Sequence, residues 1–333
     1  MDSGRAHGDL RPYVERRGNR LGGTHQPPIR IVSPSTVSLR NHRLSSQPMG
    51  DSVDISVVIP VRNGGPFVSH QIEALLAQES NATFEVVVAD NGSTDETAQI
   101  ARSLAERDPR VRVVDASRGI GVNVARNVGA QAARGRVILL TDADDVVHPG
   151  WVDAYWRAFQ SGAHTAGGSL HRILQDGTVL ARESKLYSSL MTGSAFANGT
   201  NCGFTRAAFD AVGGFDETLM GGADEIDFFA RTSRNGYRMT LVPDAVVDKL
   251  QHTDLSDAFH QHFNFGRGEI LLATRFKPSM VSLPMAAVAA MHALLWFSAW
   301  ATVGRLRRWR RPTAMRMAFA LGMLVEEAKI LSR

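Results

Sequence analysis

The run Asp142-Ala143-Asp144-Asp145 follows directly on the apolar stretch Val137-Ile138-Leu139-Leu140. Carboxylates at alternate positions beyond a strand can place two oxygens on one hard divalent cation, and Mg²⁺ or Mn²⁺ held in this way bridges phosphates. Taken alone, such a run is most often a solvated acidic turn. Here it has company, because Pro60 to Asn63 and Asp90 to Ser93 also follow directly on short apolar runs. A second acidic group, Asp224, Glu225 and Asp227, opens a stretch of helical period. A carboxylate facing a positioned hydroxyl can act as a general base, and acids in a first helical turn are also favoured by the macrodipole. His252 follows the last strand-like run, where a histidine can pack, face solvent or ligate a metal.

These residues need a frame, and the surrounding periodicity supplies one. Strands over 55–60, 84–90, 111–114 and 136–141 alternate with helices over 66–78, 96–107 and 121–133, which predicts an α/β fold on a doubly wound, mostly parallel sheet. In such sheets ligands bind beyond the carboxyl ends of the strands, which puts the three polar strand ends on one rim. From Trp151 the pattern loosens. It reads as a helix to Phe159, a strand pair at 167–173 and 179–183, a glycine-rich loop at 198–203, a helix at 206–212, an amphipathic helix at 224–236 and a last strand at 239–247. Trp151 and Trp156 fall at helical spacing and read as core.

With 44% apolar and 21% charged residues, 333 residues can fill one large domain. The single cysteine, Cys202, excludes a disulfide framework and any multi-cysteine metal site, and it reads as a small buried residue. The net charge of +4 divides unevenly: residues 1–53 carry +4, residues 305–333 carry +6, and the body between them carries −6. A nucleic-acid binder would carry positive charge on its folded body, so nucleic acid is excluded as a partner and an anionic membrane surface is favoured. Residues 1–53 hold five Pro, six Gly and one aromatic residue; they read as a disordered basic arm without the apolar run of a signal peptide. Residues 276–333 read as an apolar and basic helical segment. Positions 278–304 lack charged side chains and Arg305 to Arg311 follow. A single crossing from a cytoplasmic body would leave that cluster outside, against the positive-inside rule. An interfacial or re-entrant segment at the cytoplasmic face of a bacterial inner membrane is therefore expected.

Taken in order, Ile59-Pro60-Val61-Arg62-Asn63, Val88 to Asp95, Gly121 with Ala125-Arg126-Asn127-Val128-Gly129, and Asp142 to Asp145 resemble the nucleotide-sugar-binding half of the family 2 glycosyltransferases, which have the GT-A fold. Asn201 to Arg206, Val212 to Glu217, Asp224 to Phe228, and His252 followed by Phe265-Gly266-Arg267-Gly268 resemble the acceptor half. The resemblance covers about 54–275, divided at 150. It implies an inverting transfer of a sugar from a nucleoside-diphosphate donor, UDP-linked, to a hydroxyl of a glycan or lipid-linked acceptor, with Mn²⁺ or Mg²⁺ as cofactor. By similarity Asp144 and His252 hold the metal, and Asp142 holds the ribose and helps set the metal. Pro60, Arg62, Asn63 and Asp90 line the base and ribose pocket, and Asn91, Gly121, Arg126 and Asn127 complete the cofactor-binding set. The family draws its base from a Glu-Asp pair before a helix, whereas this chain has Asp224-Glu225 in reversed order. Glu225 is the expected base and Asp224 the runner-up, with Glu reaching about 1.5 Å further.

Competing classes fare worse. A sugar-phosphate nucleotidyltransferase needs a glycine-rich loop with basic residues for a triphosphate, and Arg62-Asn63-Gly64-Gly65 is short with one Arg. A nicotinamide-dependent oxidoreductase needs G-x-G-x-x-G after the first strand, which is absent. An inactive membrane-attached nucleotide-binding scaffold has only the reversed acid pair in its favour.

Overall fold

The structure is a computed structural model, describing residues 53–332 apart from 66, 190, 220–221, 252–253, 278–282 and 304–306. In chain order the elements are β1 (Ile55–Val61), α1 (Phe67–Leu76), β2 (Phe84–Asp90), α2 (Thr97–Arg107), β3 (Val111–Asp115), α3 (Val122–Ala132), β4 (Val137–Leu140), β5 (Val146–Val147), α4 (Trp151–Gln160), β6 (Thr165–Ile173), β7 (Val179–Glu183), β8 (Tyr187–Ser188), β9 (Ala195–Phe196), β10 (Cys202–Thr205), α5 (Arg206–Val212), α6 (Asp224–Arg234), β11 (Met239–Leu250), α7 (Leu255–Phe276), α8 (Leu283–Val303) and α9 (Arg307–Leu331).

One nine-stranded sheet runs in the order β3-β2-β1-β4-β10-β6-β11-β5, with β7 on β6, and β8 and β9 form a small separate pair. The first four strands are parallel, as expected. Beyond β4 the sheet is mixed: β10 runs antiparallel to both neighbours, β7 and β5 pair antiparallel, and only β6 and β11 run together. The expectation of a mostly parallel sheet therefore holds for the first half alone. In the second half β6 and β7 form a hairpin, whose return gives antiparallel neighbours, while β10 enters between β4 and β6 from later in the chain and lies antiparallel to both.

The inner strands read as continuous apolar runs because both faces are covered. Ile55, Val57 and Ile59 pack with Val68, Ile72, Trp151, Tyr155 and Phe159 on one face. Val58, Ile138 and Leu140 pack with Phe204, Phe209, Phe215 and Phe228 on the other. Helix α3 lies so close to the sheet that a Cβ on Gly129 would meet Val58 Cγ1 at 2.3 Å. Trp151 and Trp156 are core residues and Cys202 is buried, as expected. Asn201 ties this core together: its Oδ1 accepts from Trp151 Nε1 and Tyr155 Oη, both at 2.8 Å, and its Nδ2 donates to the carbonyls of Ser169 and Ala245.

The strand order reverses between β1 and β4, and there the two strands part. Their last paired residues are Val58 and Leu140, so Pro60 sits past the β4 ladder and its missing N–H breaks no bond on that side. The crevice at such a reversal is where doubly wound sheets bind ligands, and Asp142 lies two residues beyond β4. Buried Gln71 on α1 fixes this corner, donating to Thr141 Oγ1 and the Asp142 carbonyl and accepting from Val147 N.

After β11 the chain becomes helical. Gly266 on α7 and Gly322 on α9 each face the other helix's backbone; a Cβ there would meet the Phe319 and Phe263 carbonyl oxygens at 1.9 Å. On α8, Met291, Leu294, Leu295 and Phe297 are exposed. Among the described residues no helix is long and apolar enough to cross a membrane.

Candidate active site

The three polar strand ends do share a rim, and the loops between them hold one another. Asn63 has a positive φ of 54°, a conformation Asn tolerates better than most side chains. Its Oδ1 accepts from Thr94 N at 2.8 Å and its backbone N–H donates to Ser93 Oγ. Asp90 Oδ1 accepts from Ser93 N. Asn91 is buried and spends its whole amide on the frame, donating to the carbonyls of Ala116 and Gly119 and accepting from Gly121 N. Asn127 does likewise against the loop after α5, with Phe215 N and O and Glu217 Oε1 as partners. Pro60 is buried in β1 and Arg62 half-buried beyond it.

Asp142, Asp144 and Asp145 offer carboxylate oxygens that all lie within 4.8 Å of one another. The three are not equivalent. Asp145 is buried and its oxygens are engaged: Oδ2 accepts from Thr200 Oγ1 and Oδ1 from Leu250 N. Asp142 is half-buried, with Lys249 Nζ 3.5 Å from Oδ2 and Arg126 Nη2 4.0 Å from Oδ1. Burial raises the Asp145 carboxyl to about 7 against the pull of Lys249, with Asp144 and Asp142 adding to the rise. Lys249 feels the converse: burial lowers its pKa, but Asp145 and Asp142 outweigh that and hold the ammonium charged. An all-oxygen cluster of this kind suits a hard divalent cation such as Mg²⁺ or Mn²⁺. Asp142 and Asp144 are the half-buried members, while Asp145 anchors the turn. His252, expected as a metal ligand, lies outside the described residues.

The second acidic group lies beside the first, and Arg126 joins them. Arg126 projects from α3 with its side chain 5% exposed and donates through Nη1 to Asp224 Oδ2 at 2.5 Å. Asn123 braces it, accepting from Nη1 at 3.3 Å while its own amide donates to the carbonyls of Asp216 and Leu219. Asp224 and Glu225 open α6, and Glu225 Oε1 accepts from Gly199 N at 3.2 Å. Burial raises the Asp224 carboxyl, yet Arg126 and a hydrogen bond from Glu225 outweigh it and leave it below the usual carboxylate range. Glu225 goes the other way: burial and then the Asp224 charge push it up to about 8 against Arg126. The pair therefore shares a proton, and Arg126 decides that Asp224 is the ionised member.

The sequence reading missed Lys249, Thr200, Gly199 and Asn123. Strand β11 runs to Leu250, three residues past its expected end at Val247, where Asp248 and Lys249 interrupt the apolar run; its register also shifts between Val242 and Val246. A bulge breaks the two-residue alternation from which strands are recognised. A lysine within a strand-like run was the available signal. The loop at 198–201 had shown only its glycines, yet Thr200 holds Asp145, Gly199 holds Glu225, and Asn201 anchors all of it in the core. A Cβ on Gly199 would meet Arg126 Nη2 at 2.5 Å and Glu225 Oε1 at 2.9 Å.

A mixed sheet with a parallel nucleotide-type half, an oxygen cluster at the switch point and a carboxyl pair beside it define a class. Residues 56–213 match the sequence model of glycosyl transferase family 2. The matched region and the relatives below identify the chain as a glycosyltransferase of family 2 type. It is 29% identical over 281 residues to the succinoglycan biosynthesis protein ExoA of Rhizobium meliloti, covering 76% of this chain and 81% of that protein. It is 32% identical over 209 residues to ExoO of the same organism, covering 58% of this chain and 59% of that protein. In fold it is similar to the mannosyltransferase PcManGT from Pyrobaculum calidifontis, solved with GDP-Man and Mn²⁺, with a TM-score of 0.57 at 18% identity over 83% of this chain and 87% of that one. A second similar fold is GalNAc-T7 with UDP, GalNAc and Mn²⁺, with a TM-score of 0.51 at 16% identity over 61% of this chain and 44% of that one.

Proposed function

We propose that this chain is an inverting, metal-dependent glycosyltransferase that moves a sugar from a UDP-linked donor to a hydroxyl of a glycan or lipid-linked acceptor. The observation that carries this reading is Arg126, which lies within 4.0 Å of Asp142 in the oxygen cluster and 2.5 Å from Asp224 in the carboxyl pair. A donor site and a proton acceptor are thereby held in one rigid corner, as a single displacement at an anomeric carbon requires.

Pro60, Arg62, Asn63 and Asp90 line the pocket for base and ribose. Asp142 and Asp144 would hold the cation with Asp145 as anchor, and Mn²⁺ or Mg²⁺ bound there would neutralise charge on the departing diphosphate. Glu225 takes the proton of the acceptor hydroxyl as that oxygen attacks the anomeric carbon opposite the leaving group, and one such displacement inverts the configuration. Both oxygens of Asp224 are engaged, by Arg126 and by Gly222 N, which makes Asp224 the positioning partner and Glu225 the base.

The donor reading is tested by the melting temperature of the full chain against a panel of nucleoside diphosphates, each with and without Mn²⁺. UDP with Mn²⁺ at 100 times its dissociation constant is expected to add about 2.7 kcal/mol, and Asp144→Ala to abolish the gain. A response to GDP instead would replace the UDP assignment. A folded chain that responds to no nucleotide would overturn the donor site.

The proposed location is the cytoplasmic face of a bacterial inner membrane, with the segment from α8 onward lying in the interface. Support comes from the exposed Met291, Leu294, Leu295 and Phe297 together with the basic run Arg305 to Arg311 in the sequence. Apolar and cationic side chains on one segment suit anionic lipid. The full chain is expected to sediment with phosphatidylglycerol vesicles and to release as salt is raised; equal binding to neutral vesicles would remove the electrostatic part of this reading.

A further inference from the structure

Towards the outer edge of the sheet, side chains from β6, from β11 and from the residue after β5 converge without any part in the chemistry above. His171 on β6 and Asp248 on β11 are register partners in a parallel pair and so share a face of the sheet. Val146 on β5 pairs with Asp248, and His148 follows two residues later, where the alternation of a strand returns to that same face. His148 Nε2 lies 2.8 Å and His171 Nδ1 3.4 Å from the same oxygen, Asp248 Oδ1. The two rings stand edge to face with centroids 5.1 Å apart, and all three side chains are between 22% and 35% exposed.

The backbone around His148 is fixed before any ligand arrives. Its N–H donates to the Val246 carbonyl, and its own carbonyl accepts from Trp151 N and from Gln78 Nε2 at 3.0 Å. Lys249 is the next residue along β11 and points to the opposite face, into the aspartate cluster. On the histidine face, Arg182 is the β7 register partner of His171 and is exposed. Nothing here matches the hard oxygen set at Asp142 to Asp145: two imidazole nitrogens and one carboxylate form the donor set of a borderline transition metal, with a position left for water.

We infer that His148, His171 and Asp248 form a second metal site, selective for Zn²⁺ over Mg²⁺ and separate from the aspartate cluster. Its position gives it a structural role. Strand β5 has only two residues and directly follows Asp145, so a cation shared by β6, β11 and the residue after β5 pins the far end of the loop that presents Asp142 and Asp144.

The test uses Co²⁺ as the probe, on the tag-free full chain in excess Mg²⁺ so that the oxygen cluster is saturated. One equivalent of Co²⁺ is expected to bind with the visible absorption of a four- or five-coordinate nitrogen site, and Zn²⁺ is expected to displace it and bleach the band. His171→Ala and, separately, Asp248→Asn are each expected to weaken binding by more than the roughly 10–100-fold that loss of a mere supporting contact costs. Asp144→Ala is expected to leave the band intact, which separates this site from the proposed catalytic cation. Absence of any band from wild-type protein of native circular dichroism, or a band unchanged in both variants, would overturn the assignment. Weak binding insensitive to Zn²⁺ would do the same.

Discussion

Glu225→Gln is expected to lower glycosyl transfer by roughly 10²–10⁴-fold, the range attributed to a positioned general base, with little change in nucleotide affinity. Glutamine keeps the length and the acceptor oxygen facing Gly199 N but has no basic lone pair of carboxylate strength. Transition-state stabilisation is lost while ground-state binding is retained, so kcat falls and KM for the donor holds. The wild-type profile supplies an independent check. A carboxyl pushed up to about 8 by burial and by Asp224 must lose its proton before it can accept one, so kcat/KM is expected to rise with pH through that region and level off above it. Stability should move oppositely. The folded state keeps this proton up to about pH 8, whereas the unfolded chain loses it near the ordinary value of 4.5, so this group's contribution falls as pH rises between the two. Over that window Glu225→Gln is expected to gain in melting temperature relative to wild type. Near-normal transfer by the glutamine variant would remove Glu225 from the mechanism and make Asp224 the residue to test.

Arg126→Met is expected to cost about 3–5 kcal/mol of stability at neutral pH, the usual consequence of removing one member of a buried ion pair. Methionine fills much of the same volume, so the loss comes mainly from Asp224 left charged in the interior. The Asp224 pKa is depressed in the folded protein; its stabilisation is therefore present above the ordinary carboxylate value near 3.8 and lost as pH falls through the lower folded value. The gap between wild type and variant should accordingly narrow on acidification, and Arg126→Met with Asp224→Asn should recover part of the loss. Urea denaturation of the three proteins across pH measures this. A single-variant loss below about 1 kcal/mol would mean that Arg126 is not the compensating charge. The same substitution should also raise Glu225 further, shifting the kcat/KM profile to higher pH, since Arg126 is what holds it down.

Much of this molecule was legible in order along the chain. Of the four parallel strands, β1, β2 and β4 declare themselves as short apolar runs buried on both faces, and the polar residues beyond them are conspicuous as interruptions of that pattern. Asp142 could be assigned to a binding rim because ligands of a doubly wound sheet bind beyond the carboxyl ends of its parallel strands, whereas the place of β4 on the other side of β1 came from the structure. Helix α6 was legible too, since its acids and its apolar period begin together at Asp224.

The second half was less legible because its pairing is non-local. Whether β10 runs with or against β4 depends on the connections around it, not on its four residues, and the charged pair Asp248-Lys249 hides the true end of β11. Lys249 was invisible for this reason: one lysine in a sequence carries no sign that it will face two aspartates more than a hundred residues upstream. Arg126 and Glu225 were singled out through the family resemblance, since by period alone each sits in an ordinary helical stretch. Only the tertiary contacts of Arg126 with Asp224 and of Glu225 with Gly199 make one a buried cation and the other a candidate proton acceptor. Residue types and periods thus determined the donor half and its acidic rim. Tertiary structure decided which acids are ionised, because burial and the placement of Arg126 and Lys249 set the charges, and those act through space rather than along the chain.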